Sequence, residues 1–184
     1  VFGVQEINLP QISYSATAPK LSDAAAFPRL LRTPPSDSVQ GKVIAEIVQW
    51  YGWRRVCTLS GSDEYSAGGA AEFRRHALAH NLTLGAEVTF NTGTSDVSSE
   101  IASLGRAECP ILVLWAQAAD IYTVGKECQR QKIMTAKDSG TLWFSSELFA
   151  SSFKDVCGGG GGDSGEDDEE RYAMCVDVFR GALL

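Results

Sequence analysis

The chain has 184 residues, 44% of them hydrophobic, with 16 Lys and Arg against 23 Asp and Glu, which is apolar enough for a buried core and argues against wholesale disorder. Six acids sit together at Asp163, Glu166, Asp167, Asp168, Glu169 and Glu170, and setting them aside leaves 17 acids against the 16 bases. A near-neutral body with no Lys/Arg stripe argues against nucleic acid or an anionic membrane surface as the partner. The longest apolar runs, such as Ile111 to Trp115, fall far short of the roughly 20 residues a spanning helix needs.

The chain opens at Val1 with neither an initiator Met nor a charged-then-apolar leader, so it reads as a piece of a longer protein whose secretory signal would lie upstream. Pro10 to Gln40 reads as a strand, a polar loop, a second strand and a helix start. Ser15, Thr17 and Asp37 fall at the ends of those elements, where an open α/β sheet meets its ligand. From Ser36 onward helix and strand alternate with short punctuation, the signature of parallel α/β units. Ser36 or Asp37 caps a helix on which Val39, Val43, Ile47 and Trp50 recur at helical spacing, with Ile44, Val48 and Tyr51 widening the stripe. Gly52 ends it. Residues 53–59 predict a strand, 66–79 an alanine-rich helix, 84–90 a strand and 96–104 a short helix. Ile111 to Trp115 is continuously apolar, as a strand covered on both faces should be, and 120–131 and 141–144 complete the rhythm.

Residues 158–170 interrupt it with five glycines followed by the acidic run, a composition that reads as a disordered insertion rather than a calcium loop. Residues 172–184 resume an apolar helical pattern through Met174, Val178 and Leu183. The five cysteines show no metal-ligand spacing. Cys57, in an expected core strand, reads as a buried free thiol, while Cys157 and Cys175 flank the insertion and can close it as a disulfide. His76 and His80 stand at i, i+4 with no acid in register, so no metal is expected. Asn81-Leu-Thr83 is a glycosylation sequon, used only if the chain is secreted.

Ser13-Tyr-Ser-Ala-Thr-Ala-Pro-Lys-Leu-Ser-Asp23 resembles the ligand-binding region shared by class C G-protein-coupled receptors and natriuretic-type receptors, with metabotropic glutamate and related amino-acid-sensing receptors nearest. The likeness continues, collinear, through Pro35-Ser-Asp-Ser-Val-Gln40, Tyr51-Gly-Trp53 and Gly61-Ser-Asp-Glu-Tyr-Ser-Ala-Gly-Gly-Ala-Ala-Glu-Phe73, over about residues 1–155. It implies an α/β fold of the periplasmic-binding-protein type I, a two-lobed clamshell with parallel sheets flanked by helices. Residues 1–36 would then be the truncated end of lobe 1, 37–155 most of lobe 2, 156–171 the insertion and 172–184 a C-terminal helix. It also implies a non-catalytic receptor segment on the extracellular side of the plasma membrane, dimeric in the whole protein and tied to the membrane only by downstream segments. No cofactor is implied.

Carried over by residue, the resemblance gives Ser15 and Thr17 to the α-carboxylate and α-amino groups of an amino-acid-like ligand. Asp37 opposes the ammonium, Tyr65 lays its ring against it, and Glu147 takes the place of an acid that is usually the shorter aspartate. Gln117 falls where side-chain specificity is often set. The residue types suit a zwitterion, which needs a carboxylate and a ring face for its cation and neutral donors for its anion. Each also has a plainer reading: Asp37 as a helix N-cap, Thr17 as a turn residue before Pro19, Tyr65 as a packed loop aromatic, Glu147 as a solvated acid. The rest of the first lobe would lie before Val1, so the chain by itself is expected to bind poorly. The rival readings are a transporter's solute-binding protein of the same fold and an α/β enzyme. The latter lacks any phosphate loop or nucleophile–base set.

Overall fold

Every residue of β5 (Ile111–Trp115) is apolar and every one is buried, because the sheet it belongs to is covered on both faces. A strand turns successive side chains to opposite sides. Accordingly Ile111, Val113 and Trp115 join one apolar cluster, and Leu112 and Leu114 join another. A computed structural model describes the chain over residues 9–146, 157–158 and 166–180, with the backbone alone at 166–169.

Two parallel sheets are present among the described residues. A small one pairs β1 (Gln11–Ser13) with β2 (Leu30–Arg32), joined by a 3-10 turn at Pro19–Ser22. The main sheet has four strands in the order β4-β3-β5-β6, namely β3 (Arg55–Gly61), β4 (Thr83–Phe90), β5 and β6 (Leu142–Ser145), all parallel. Helices α1 (Asp37–Trp50) and α2 (Glu64–Ala79) cover one face, burying Ile44, Ala45, Val48, Phe73 and Ala77 against Val56, Val113 and Trp115. The other face carries α3 (Ser98–Ala107), α4 (Ala118–Gln131) and α5 (Glu166–Phe179), whose Ile101, Leu104, Ile121, Val124, Met174 and Val178 enclose Leu59, Leu112 and Trp143. The expected α/β class with a parallel sheet flanked by helices is what the chain forms.

Three expectations are corrected. On α1, the buried face is Gly41, Ile44, Ala45 and Val48, whereas Val39, Val43 and Trp50 are exposed, Trp50 at 87%. Apolar spacing alone marks both flanks of this helix, and the close fit against α2 selects the side with the smaller residues. The acidic run is helical from Glu166, at the start of α5. Met174, Cys175, Val178 and Phe179 then pack into the core with α4 and Trp143, the Phe179 ring edge-on to Trp143 at 4.9 Å.

The third correction concerns Cys57, which is not a free thiol but is bonded to Cys109 at the entry to β5. Gly85 makes room for this bridge: it is the extra residue where the β3–β4 register shifts between Val56 and Cys57, and a Cβ there would lie 2.5 Å from Cys109 Sγ. The Cys157–Cys175 bridge that the sequence allows is present. Cys128, on α4, is the buried free cysteine, and burial pushes its thiol well above the ordinary range.

Gly85→Ala is therefore expected to lower stability by about 1–3 kcal/mol, the range for overpacking a tight site. Denaturant unfolding measures this; an unchanged midpoint would show that the β3–β4 bulge does not serve the bridge.

Candidate functional site

The chain leaves β3 outward to β4, then returns to the other side of β3 to place β5. The helix after β3 lies on one face of the sheet and the helix after β5 on the other. Their loops diverge at the carboxyl ends of β3 and β5, and such a reversal point is where an open parallel sheet leaves a crevice for a ligand.

One carboxylate spans this divergence. Asp63 is the N-cap of α2: its Oδ1 accepts from the backbone N–H groups of Tyr65 at 3.1 Å and Ser66 at 3.2 Å. The same oxygen accepts from Gln117 Nε2 at 2.9 Å, across the crevice on the β5–α4 loop. Its Oδ2 accepts from Thr92 Oγ1 at 2.9 Å, and Thr92 Oγ1 accepts in turn from the Asp63 N–H, so the β4–α3 loop is held too. Partial burial works to raise the Asp63 pKa, but the bonds from Ser66, Gln117 and Thr92 outweigh it and hold the carboxyl at about 2. Asp120, in the first turn of α4 and 3% exposed, shifts the other way. Burial and the charge of Asp63 raise its pKa, only partly offset by the Gly93 N–H that its Oδ1 accepts at 2.8 Å.

Thr17 and Asp37 are both buried, and the Asp37 N–H donates to the Thr17 carbonyl at 3.0 Å. Ser36 caps α1, its Oγ accepting from the Ser38 N–H, so Asp37 stands one position inside the helix. Thr17 and Asp37 line one cavity of about 440 Å³ together with Val43, Ile47, Phe144 and Ser145. Tyr65 opens α2 just behind Asp63, its ring edge-on to Trp115 at 6.3 Å. Gly69 one turn on lets that indole in, since a Cβ there would come within 2.1 Å of it. Ser15 is exposed in the bend after β1 and is not part of the cavity wall. Glu147 lies outside the described residues.

Several residues of this edge escape the sequence reading. Arg32 donates to the Thr17 and Ala18 carbonyls at 3.3 and 3.0 Å and so braces the loop that carries Thr17. Ser145 and Ser146, buried at the end of β6, have hydroxyls with no partner among the described residues. The sequence reading starts this helix at residue 66, whereas it begins at Glu64 with Asp63 as its cap. Nothing local shows that Asp63 also collects Thr92 and Gln117, 29 and 54 residues away.

A family model described as "Receptor family ligand binding region" matches residues 4–168. The extracellular calcium-sensing receptor of Sus scrofa is 25% identical over 146 residues, covering 78% of this chain and 13% of the relative; that of Bos taurus is 27% identical over 150 residues with the same shares. Taste receptor type 1 member 3 of Mus musculus is 28% identical over 150 residues, covering 76% of this chain and 17% of the relative. These relatives are class C G-protein-coupled receptors, and the chain spans less than a fifth of their length.

Asp63→Ala removes the α2 cap and two inter-loop bonds, so it is expected to cost about 2 kcal/mol at neutral pH. The folded pKa lies below the unfolded value of about 3.9, so this stability is full above that value and is lost as pH falls through about 2. The difference between wild type and Asp63→Ala should shrink between pH 5 and 2 in denaturant titrations; a constant difference would contradict the assignment.

Proposed function

This chain belongs to the receptor family ligand-binding region, and on that premise we propose that it binds an amino acid or a similar small zwitterion and signals by closure of two lobes. The segment up to residue 36 belongs to the first lobe and residues 37–155 to the second. The observation that carries the reading is the pairing of Thr17 and Asp37, buried and bonded to each other at the wall of one cavity on the carboxyl-end edge of the sheet. In this reading the Asp37 carboxylate, in the first turn of α1, meets the ligand's ammonium. Thr17 supplies its hydroxyl and backbone to the carboxylate end, with Ser15 beside it on the same loop. The Tyr65 ring offers its face to the cation, and Glu147 adds a second acid. Closure of the second lobe onto the first makes contacts that exist only in the closed state, and so shifts the population toward it.

The protein works as a receptor rather than an enzyme, on the extracellular side of the plasma membrane and as a dimer. Two disulfides fit an oxidising compartment, and no described helix is long and apolar enough to cross a membrane. Asn81 of the sequon is exposed at the turn after α2, so it is open to glycosylation.

The test is thermal denaturation of the protein with its first lobe complete, against the twenty L-amino acids and calcium ion alone. At least one amino acid is expected to raise the melting temperature, and Asp37→Asn is expected to remove that gain, since binding to the folded state stabilises it by mass action. A response to calcium without any response to amino acids, or a gain that survives Asp37→Asn, would sink the amino-acid site.

A further inference from the structure

Resting on that division into lobes, the geometry points to Lys20 and Glu64 as a latch that holds the start of α2, and with it Tyr65, against the Thr17 loop of the first lobe. The contacts across the boundary at residue 36 differ in how far they lie from the crossover of the chain. The bond from the Asp37 N–H to the Thr17 carbonyl lies at the crossover itself, so it moves little when one lobe turns against the other. The ion pair of Lys20 Nζ with Glu64 Oε1, at 2.8 Å, lies away from it and joins residues 44 apart in sequence. Opening the lobes must break this pair. One residue before Lys20, Pro19 lies over Gly68, one turn into α2, where an added Cβ would meet the proline ring at 3.5 Å.

Both halves of the latch are held firmly. Arg32, on β2, donates to the Thr17 and Ala18 carbonyls and to the Ser22 hydroxyl, so both ends of the Pro19–Ser22 turn are fastened to the first lobe. Asp63 fixes the start of α2 by capping it and by binding Thr92 and Gln117. A lysine beside the first turn of a helix meets the positive end of the dipole and is unfavourable there by itself. Glu64, in that first turn, makes the position favourable for Lys20. The two side chains are 59% and 66% exposed, so the pair is weak and salt-sensitive. It biases closure without locking it, and a ligand held between Thr17 and Tyr65 still decides which state prevails. Lys20 and Glu64 thus act as positioning residues, one step removed from the ligand.

Charge reversal tests this in the full-length protein, by calorimetric titration with each of the twenty L-amino acids at low and high salt. Lys20→Glu sets two carboxylates together and is expected to weaken binding about twofold to fivefold, the range of an exposed ion pair. Glu64→Lys should weaken it as well, and the double swap should restore it. At about 1 M salt, where charges act over only about 3 Å, the reversed variants should converge on wild type. Gly68→Leu, which puts a side chain where Pro19 sits, should weaken binding at either salt concentration. An affinity unchanged in Lys20→Glu or in Gly68→Leu, or a double swap no better than Glu64→Lys alone, would overturn the latch and leave the amino-acid site standing. Absence of binding by every amino acid would overturn that site, and this inference with it.

Discussion

The hydrogen bonds collected by the Asp63 carboxylate are the constraint on which the proposed site depends. A doubly covered parallel sheet must send successive helices to opposite faces somewhere, and at that place its loops separate. Here the separation falls between β3 and β5, and it would be an open gap without Asp63, which ties the β3–α2 loop to Thr92 on one side and Gln117 on the other. A residue that only capped α2 would leave both neighbours unplaced. Tyr65 and Gln117 owe their positions to the same atom, so the ring and the amide of the crevice are not independently adjustable.

The cost of this arrangement appears at Asp120. Two carboxylates near one crevice cannot both be comfortable when one is buried. Asp63 is kept ionised by the donors around it, and Asp120 is raised by burial and by Asp63 itself. Ionised Asp120 works against the fold at neutral pH, since a raised acid contributes stability only below its unfolded value, and that contribution is lost as pH rises through the folded one. Functional edges of sheets tolerate such groups because the two-sided core holds the rest. That core is large: both faces of β5 are buried, and the Cys57–Cys109 bridge pins its entry to β3.

The order of elements was legible because each carries a local signal: the all-apolar β5, the Ser36 cap of α1, the glycine after its end. The α/β class and the placing of Thr17 and Asp37 at element ends followed from the same signals. What was not legible depends on contacts between distant residues. The buried side of α1 is chosen by its fit to α2, and its own spacing marks both flanks. The partner of Cys57 depends on a β-bulge at Gly85 that only the paired strands reveal. The acidic stretch from Glu166 looked like linker by composition, and it is helical because the residues after it find Trp143 and α4 to pack against. At the site, Asp63 was passed over, because the helix was expected to start at residue 66 and because the carboxylate's partners Thr92 and Gln117 lie far along the chain.

The carboxyl carbon of Asp63 and the side-chain amide of Gln117 can be followed together by nuclear magnetic resonance as pH is lowered. If the Asp63 bonds hold the crevice, the carboxyl should titrate at about 2 and the Gln117 amide resonance should move with the same midpoint. A midpoint at the ordinary aspartate value, with a Gln117 amide indifferent to it, would contradict the account.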